Sequence, residues 1–204
     1  MAKIEKLLEG YKRFRADHFD GNKTLYEKLY KEGQSPKTLV IACSDSRVDP
    51  AIITDADPGD IFAIRNVANL VPPYAKDAGY HGVSAALEFA VCILKVENIV
   101  ILGHSHCAGV HALRHPESLK DSDFIGPWVH IGDPAKQRLG TIANDLECQH
   151  ACEREVIKLS LENLQTFPWI QDRVRDGSLT LHGWYFDIED GVLYQHDPET
   201  GKFA

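Results

Sequence analysis

Apolar and polar positions alternate along this chain in patterns that assign most of its elements. Ile4, Leu7, Leu8, Tyr11 and Phe14 recur at three- and four-residue intervals and predict an amphipathic N-terminal helix, with Leu25, Leu29 and Tyr30 marking a second. Both apolar faces need a cover. After the turn signal GQSPK, the run Thr38 to Cys43 is short, rich in β-branched residues and apolar on both sides, which predicts a strand buried on both faces. Asp57, Pro58 and Gly59 mark a turn before a second strand, Ile61 to Ile64. The stretch HGVSAALEFAVCILKV is apolar around nearly its whole circumference and reads as a buried helix leading into a third strand, Asn98 to Leu102. Residues 137–167 read as helix interrupted near Gly140, with Leu146, Val156, Ile157, Leu161 and Leu164 as inward positions. Ser178 to Ile188, Asp190–Gly191 and Val192 to His196 read as a closing hairpin.

Strands separated by crossovers predict an α/β fold with a central, mostly parallel sheet flanked by helices, because parallel neighbours cannot be joined by a tight turn. The length of 204 residues and 44% hydrophobic content suit a single α/β domain, 1–204, with residues 1–33 as an N-terminal helical arm. A net charge of −8 with no basic run argues against nucleic acid and anionic membranes as partners, and no apolar run reaches the ~20 residues of a membrane span. Five irregularly spaced cysteines and a charged N-terminal stretch without a secretory or transit pattern point to the reducing cytoplasm.

In sheets of this kind ligands gather beyond the carboxyl ends of the strands. Two strands deliver metal-binding residue types there: LVIACSDSR ends in Cys43, Asp45 and Arg47, and IVILGHSHC ends in His104 and Cys107. Two thiolates and an imidazole are one ligand short of a closed tetrahedral zinc site, and the open position is where zinc activates water. Asp45, two residues beyond Cys43, either completes the coordination or hydrogen-bonds the water, and a two-point pair with Arg47 favours the second role. Cys148 and Cys152 share a helical face that excludes His150, and Cys92 lies in an apolar helix; all three read as packing residues. His106 is a weak candidate for a proton relay. His81, His111, His115, His130, His182 and His196 are scattered, and Trp128, Trp169 and Trp184 suit a core or subunit interface.

The segments CSDSRVDP, PGDIFAIRNVANLVPPY, GVSAALEFAV, VENIVILGHSHCAGV and LHGWYFDIEDGVL resemble, in order, those of the β-class carbonic anhydrases, a likeness covering roughly residues 30 to 195. The resemblance implies one Zn2+ per chain held by Cys43, His104 and Cys107, an Asp45–Arg47 dyad, and reversible hydration of CO2 to bicarbonate and a proton through a zinc-bound hydroxide. It implies that Gln34 and the backbone N–H of Ala108 face substrate, and that Phe62, Val67 and Phe89 line an apolar CO2 pocket partly supplied by a neighbouring subunit. A homodimer would be the smallest complete unit. Phe89 stands where many plant-like members carry Tyr, and Ala108 where a Gly is frequent. Val40 occupies the place of a Trp found in members whose Asp closes onto zinc, so the plant-like, open-zinc type is implied. The alternatives on the same scaffold are a hydrolase of carbon disulfide or carbonyl sulfide, a regulatory protein without chemistry, and a structural zinc module.

Overall fold

The computed structural model describes residues 3–77 and 79–204; Met1, Ala2 and Ala78, the first two belonging to the expected arm, lie outside the described residues. The chain divides into two compact units, Met1–Ser35 and Pro36–Ala204. In the first, α1 (Lys3–Arg13) runs into a π-helical turn, Phe14–Phe19, and α2 follows at Lys23–Glu32. This unit is held by aromatic contacts: the Tyr26 ring stacks on Phe19 at 4.6 Å and meets Phe14 edge-on at 6.1 Å. Ile4, Leu7, Leu8 and Tyr11 project as an exposed apolar face, on the period read from the sequence.

The second unit is built on five strands: β1 (Thr38–Cys43), β2 (Ile61–Asn66), β3 (Asn98–His104), β4 (Thr180–Asp187) and β5 (Val192–Gln195), in spatial order β2-β1-β3-β4-β5. The first four are parallel, and β5 returns antiparallel as a hairpin strand at one edge. Between them lie α3 (Pro50–Thr54), α4 (Gly82–Glu88), α5 (Ala108–Arg114), α6 (Ile125–Val129), α7 (Asp133–Gln137), α8 (Asp145–Leu164) and α9 (Pro168–Arg175). Along β1, Leu39 and Ile41 face one core with Leu87, Ile99 and Ile157, while Val40 and Ala42 face another with Val100 and Leu102. This two-sided burial is why the strand reads as an uninterrupted apolar run. Among the described residues no helix is long and apolar enough to cross a membrane.

The long helix α8 starts where Asn144 caps it, its side chain accepting from the N–H groups of Leu146 and Glu147, and Asp145 and Glu147 place negative charge in the first turn. The interruption expected near Gly140 is the stretch between α7 and this cap. One inward assignment on α8 is corrected: Leu146 is 47% exposed because it sits in the first turn, ahead of the part packed on the sheet. The stretch 82–94 is likewise not buried all round. It is α-helical to Glu88 and π-helical from Phe89 to Leu94, burying Leu87, Ala90 and Val91 but leaving Phe89 40% and Ile93 64% exposed.

α8 approaches the sheet closely at glycines. A Cβ on Gly103 would lie 2.7 Å from Cδ1 and 2.8 Å from Cγ1 of Ile157, which is fully buried. Gly103→Ala is therefore expected to destabilise the fold by ~1–3 kcal/mol, the usual scale of overpacking, read as a lower urea midpoint.

Candidate metal centre

Cys43 ends β1, His104 ends β3 and Cys107 caps α5, so the sheet delivers all three to its carboxyl edge. Their ligand atoms lie within 4.8 Å of one another, and all three residues are buried. His106, between two of them, takes a left-handed backbone (φ 55°), which turns the chain so that His104 and Cys107 meet at one point. The Sγ atoms of Cys43 and Cys107 are 3.8 Å apart.

The imidazole of His104 is set by its neighbour. Its Nδ1 lies 2.9 Å from the carbonyl oxygen of Ser105, which can only accept, so Nδ1 carries the hydrogen and Nε2 presents a lone pair. That Nε2 is buried and has no hydrogen-bond partner, although buried polar atoms are almost always satisfied. An unpartnered imidazole nitrogen beside two thiols is the donor set that selects zinc, and the residues fit that ion. The hydrogen bond from Cys107 holds the Cys43 thiol below its ordinary range against the opposing effect of burial. Cys107, giving up that hydrogen only with difficulty and more deeply buried, is pushed up, so the metal-free pair retains a proton that a metal must displace. For His104, burial disfavours charge but the Cys43 sulfur and Asp45 outweigh it, and its titration moves upward.

Asp45 stands beside this cluster, one carboxylate oxygen 4.0 Å from Nε2 of His104. Arg47 grips it at two points, Nε to Oδ1 at 2.9 Å and Nη2 to Oδ2 at 2.7 Å, and the Arg47 backbone N–H donates to Oδ1 at 3.0 Å. These bonds, chiefly the guanidinium pair, hold the Asp45 carboxyl well below the usual carboxylate range. Nη2 of Arg47 also donates to the carbonyl of His106, tying the dyad to the turn between the ligands. Arg65 anchors the loop from below, donating to the carbonyls of Cys43 and Asp45 and pairing with Asp49, the cap of α3.

Behind Cys107 lies a network that sequence reading missed. Glu153, buried on α8, accepts the backbone N–H of Cys107 at 2.8 Å and the Gln149 amide at 2.8 Å through one oxygen, and the Tyr185 hydroxyl at 2.8 Å through the other. Gln149 also donates to the Cys107 carbonyl and accepts from Arg114. Polar residues at 149 and 153 on the same inward face as Val156 and Ile157 were the available signal.

The expected substrate residues are distributed unequally. Val67 and Ala108 are at the cluster's end of the sheet: Val67 lies against Gly109, where a Cβ would come within 2.6 Å of its Cγ1. Ala108 opens α5, so its N–H is one that a helix leaves without an internal partner. Phe62 and Phe89 stack on each other, centroids 5.8 Å apart, but at the opposite end of β2. Cys43 is in register with Asn66, four residues beyond Phe62, a rise of ~13 Å along a strand. These two rings therefore do not line the metal cluster of their own chain. Gln34 lies exposed in the first unit, after α2.

A parallel α/β sheet with an open Cys-His-Cys cluster and an arginine-clamped carboxylate at its carboxyl edge defines a zinc-type metalloenzyme centre. Residues 38–193 match the family model described as carbonic anhydrase. The chain is 38% identical to beta carbonic anhydrase 3 of Arabidopsis thaliana, over 97% of this chain and 79% of that one. It is 48% identical to the chloroplastic beta carbonic anhydrase 5 of the same plant over 80% of this chain, spanning 55% of that relative's length. Among solved structures, the beta-carbonic anhydrase CcaA superposes with a TM-score of 0.91 at 34% identity, covering 100% of this chain and 92% of that one. A second match, to tetrameric beta-carbonic anhydrases of Sordaria macrospora, has a TM-score of 0.81 at 28% identity over 96% and 97% of the two chains. The chain belongs to the β-carbonic anhydrase family.

Proposed function

We propose that this chain catalyses the reversible hydration of CO2 to bicarbonate and a proton, with Cys43, His104 and Cys107 holding one zinc ion. The observation that carries the reading is the unpartnered Nε2 of His104, buried beside two thiols and within 4.0 Å of a carboxylate that Arg47 keeps ionised. The ion, when bound, supplies the Lewis acidity that makes water a usable nucleophile near neutral pH. Asp45, an acceptor only while ionised, takes a hydrogen bond from the attacking water and aims its lone pair at the carbon of CO2. The Arg47 clamp holds Asp45 in that orientation and away from Nε2. Gln34 and the N–H of Ala108 donate to oxygen as negative charge develops there. Val67, with Phe62 and Phe89 of a neighbouring copy, forms the apolar wall against which an uncharged, linear substrate rests.

We infer a homo-oligomer with a dimer as its smallest complete unit. Phe62 and Phe89 lie away from their own chain's cluster, and apolar faces are exposed at Ile4, Leu7, Leu8 and Ile93, so a second subunit supplies the missing wall. The Sordaria relatives are described as tetrameric, which suits such pairing. With Val40 where the closing members carry Trp, we assign the plant-like, open type. Five free thiols suit a reducing compartment, and we place the protein in the cytoplasm. The carbon disulfide and carbonyl sulfide alternatives draw no support from the matched family or relatives, whose descriptions are those of carbonic anhydrases. Stopped-flow CO2 hydration with zinc measured on the same sample tests the assignment; a zinc-loaded protein without hydration activity overturns it.

Glu153 supports the ligand rather than touching the metal. Glu153→Gln keeps the shape but turns one acceptor oxygen into an amide facing donors, Cys107 N–H with Gln149 or the Tyr185 hydroxyl. Zinc affinity is expected to fall ~10–100-fold, measured by chelator competition.

A further inference from the structure

A cavity of about 560 Å3 opens between α8, the stretch after α7 and the C-terminal segment. Its lining carries four cationic side chains, Arg138, Arg154, Lys158 and Lys202, against one carboxylate, Glu155. Two of the four are neutralised. Arg138 makes a two-point pair with Glu162 at 2.8 and 2.6 Å, and Lys158 pairs with Glu155 at 2.8 Å.

The other two are not. The Arg154 guanidinium carbon lies over the Tyr185 ring, 4.7 Å from its centroid, and its Nε is buried with no hydrogen-bond partner. Lys202 is held through its backbone, its N–H donating to Thr200 and its carbonyl accepting from Asp197, while its ammonium has no partner among the described residues. Two uncompensated cations converging on one cavity, in a chain of net charge −8, favour a dianion. A guanidinium carries its N–H groups as a rigid planar fork, the shape that matches phosphate oxygens at two points. The wall beside it is aromatic: Tyr194 and Phe203 flank Tyr185 at centroid distances of 6.5 and 6.3 Å.

We propose that this cavity binds a phosphate monoester, the phosphate held by Arg154 and Lys202 and the organic body lying on Tyr194 and Phe203. The test is calorimetric titration of the zinc-loaded protein with adenosine 5′-monophosphate and, separately, inorganic phosphate. One nucleotide per chain is expected, bound more tightly than phosphate and displaced by it in competition. Lys202→Glu, at an exposed position, weakens nucleotide binding at least tenfold while leaving CO2 hydration unchanged. Arg154→Lys, which keeps the charge and loses the fork, weakens it comparably. Absence of saturable binding, binding undiminished by Lys202→Glu, or phosphate binding as tight as the nucleotide overturns the proposal.

Discussion

Alanine in place of His104 strips the protein of zinc and of CO2 hydration together. The ring is the only nitrogen donor of the cluster, its tautomer is fixed by Ser105, and its free nitrogen has no other partner to satisfy it. Without it two thiols 3.8 Å apart remain, and they bind to each other. The loss should exceed the ~10–100-fold that removal of a supporting partner costs. Metal analysis and stopped-flow hydration measure both effects, and circular dichroism checks that the strand cores, which do not contain His104, remain folded. Hydration that survives in zinc-free His104→Ala protein would remove the cluster from the mechanism.

Asp45→Asn should separate the two properties, retaining zinc while hydration falls ~10²–10⁴-fold, the range for loss of a positioned proton-transfer group. The amide keeps the size but replaces an acceptor with a donor, and it loses half of the Arg47 clamp. The pH dependence follows from the same clamp. The folded-state pKa of Asp45 is depressed, so the stability this pair contributes is present above the ordinary Asp value of ~3.9 and is lost only as pH falls through the lower folded value. Any change in hydration rate between pH 5 and 8 therefore belongs to other groups, a point a pH–rate profile of the parent protein checks. A titration near neutrality that vanishes in Asp45→Asn would contradict this assignment.

How far these features were legible depends on what the pattern of side chains encodes. β1 was read with its observed bounds because an apolar, β-branched run between a Pro-containing turn and a polar loop has one solution. The three cluster residues were legible because strand ends and a short turn bring them to one edge without any fine geometry. Phe89 and Ile93 were misread as buried because the periodicity of apolar residues does not record whether the face they form is covered. Leu146 failed for the opposite reason: it keeps the helical phase of α8 but precedes the region that packs. Glu153 and Gln149 left only the trace of polar residues on an inward helix face, because their role depends on how α8 crosses behind Cys107, a tertiary contact that no spacing along the chain records.

The register of β1 has a final implication. Successive residues of a strand point to opposite sides, so a slip of one position against β3, where Ala42 now pairs with Leu102, would swing Cys43 to the wrong side of the sheet. A misaligned chain then offers only the His104–Cys107 half of the grip. Metal uptake thus proofreads strand alignment, and misfolded copies in a preparation can be counted by the fraction that refuses zinc.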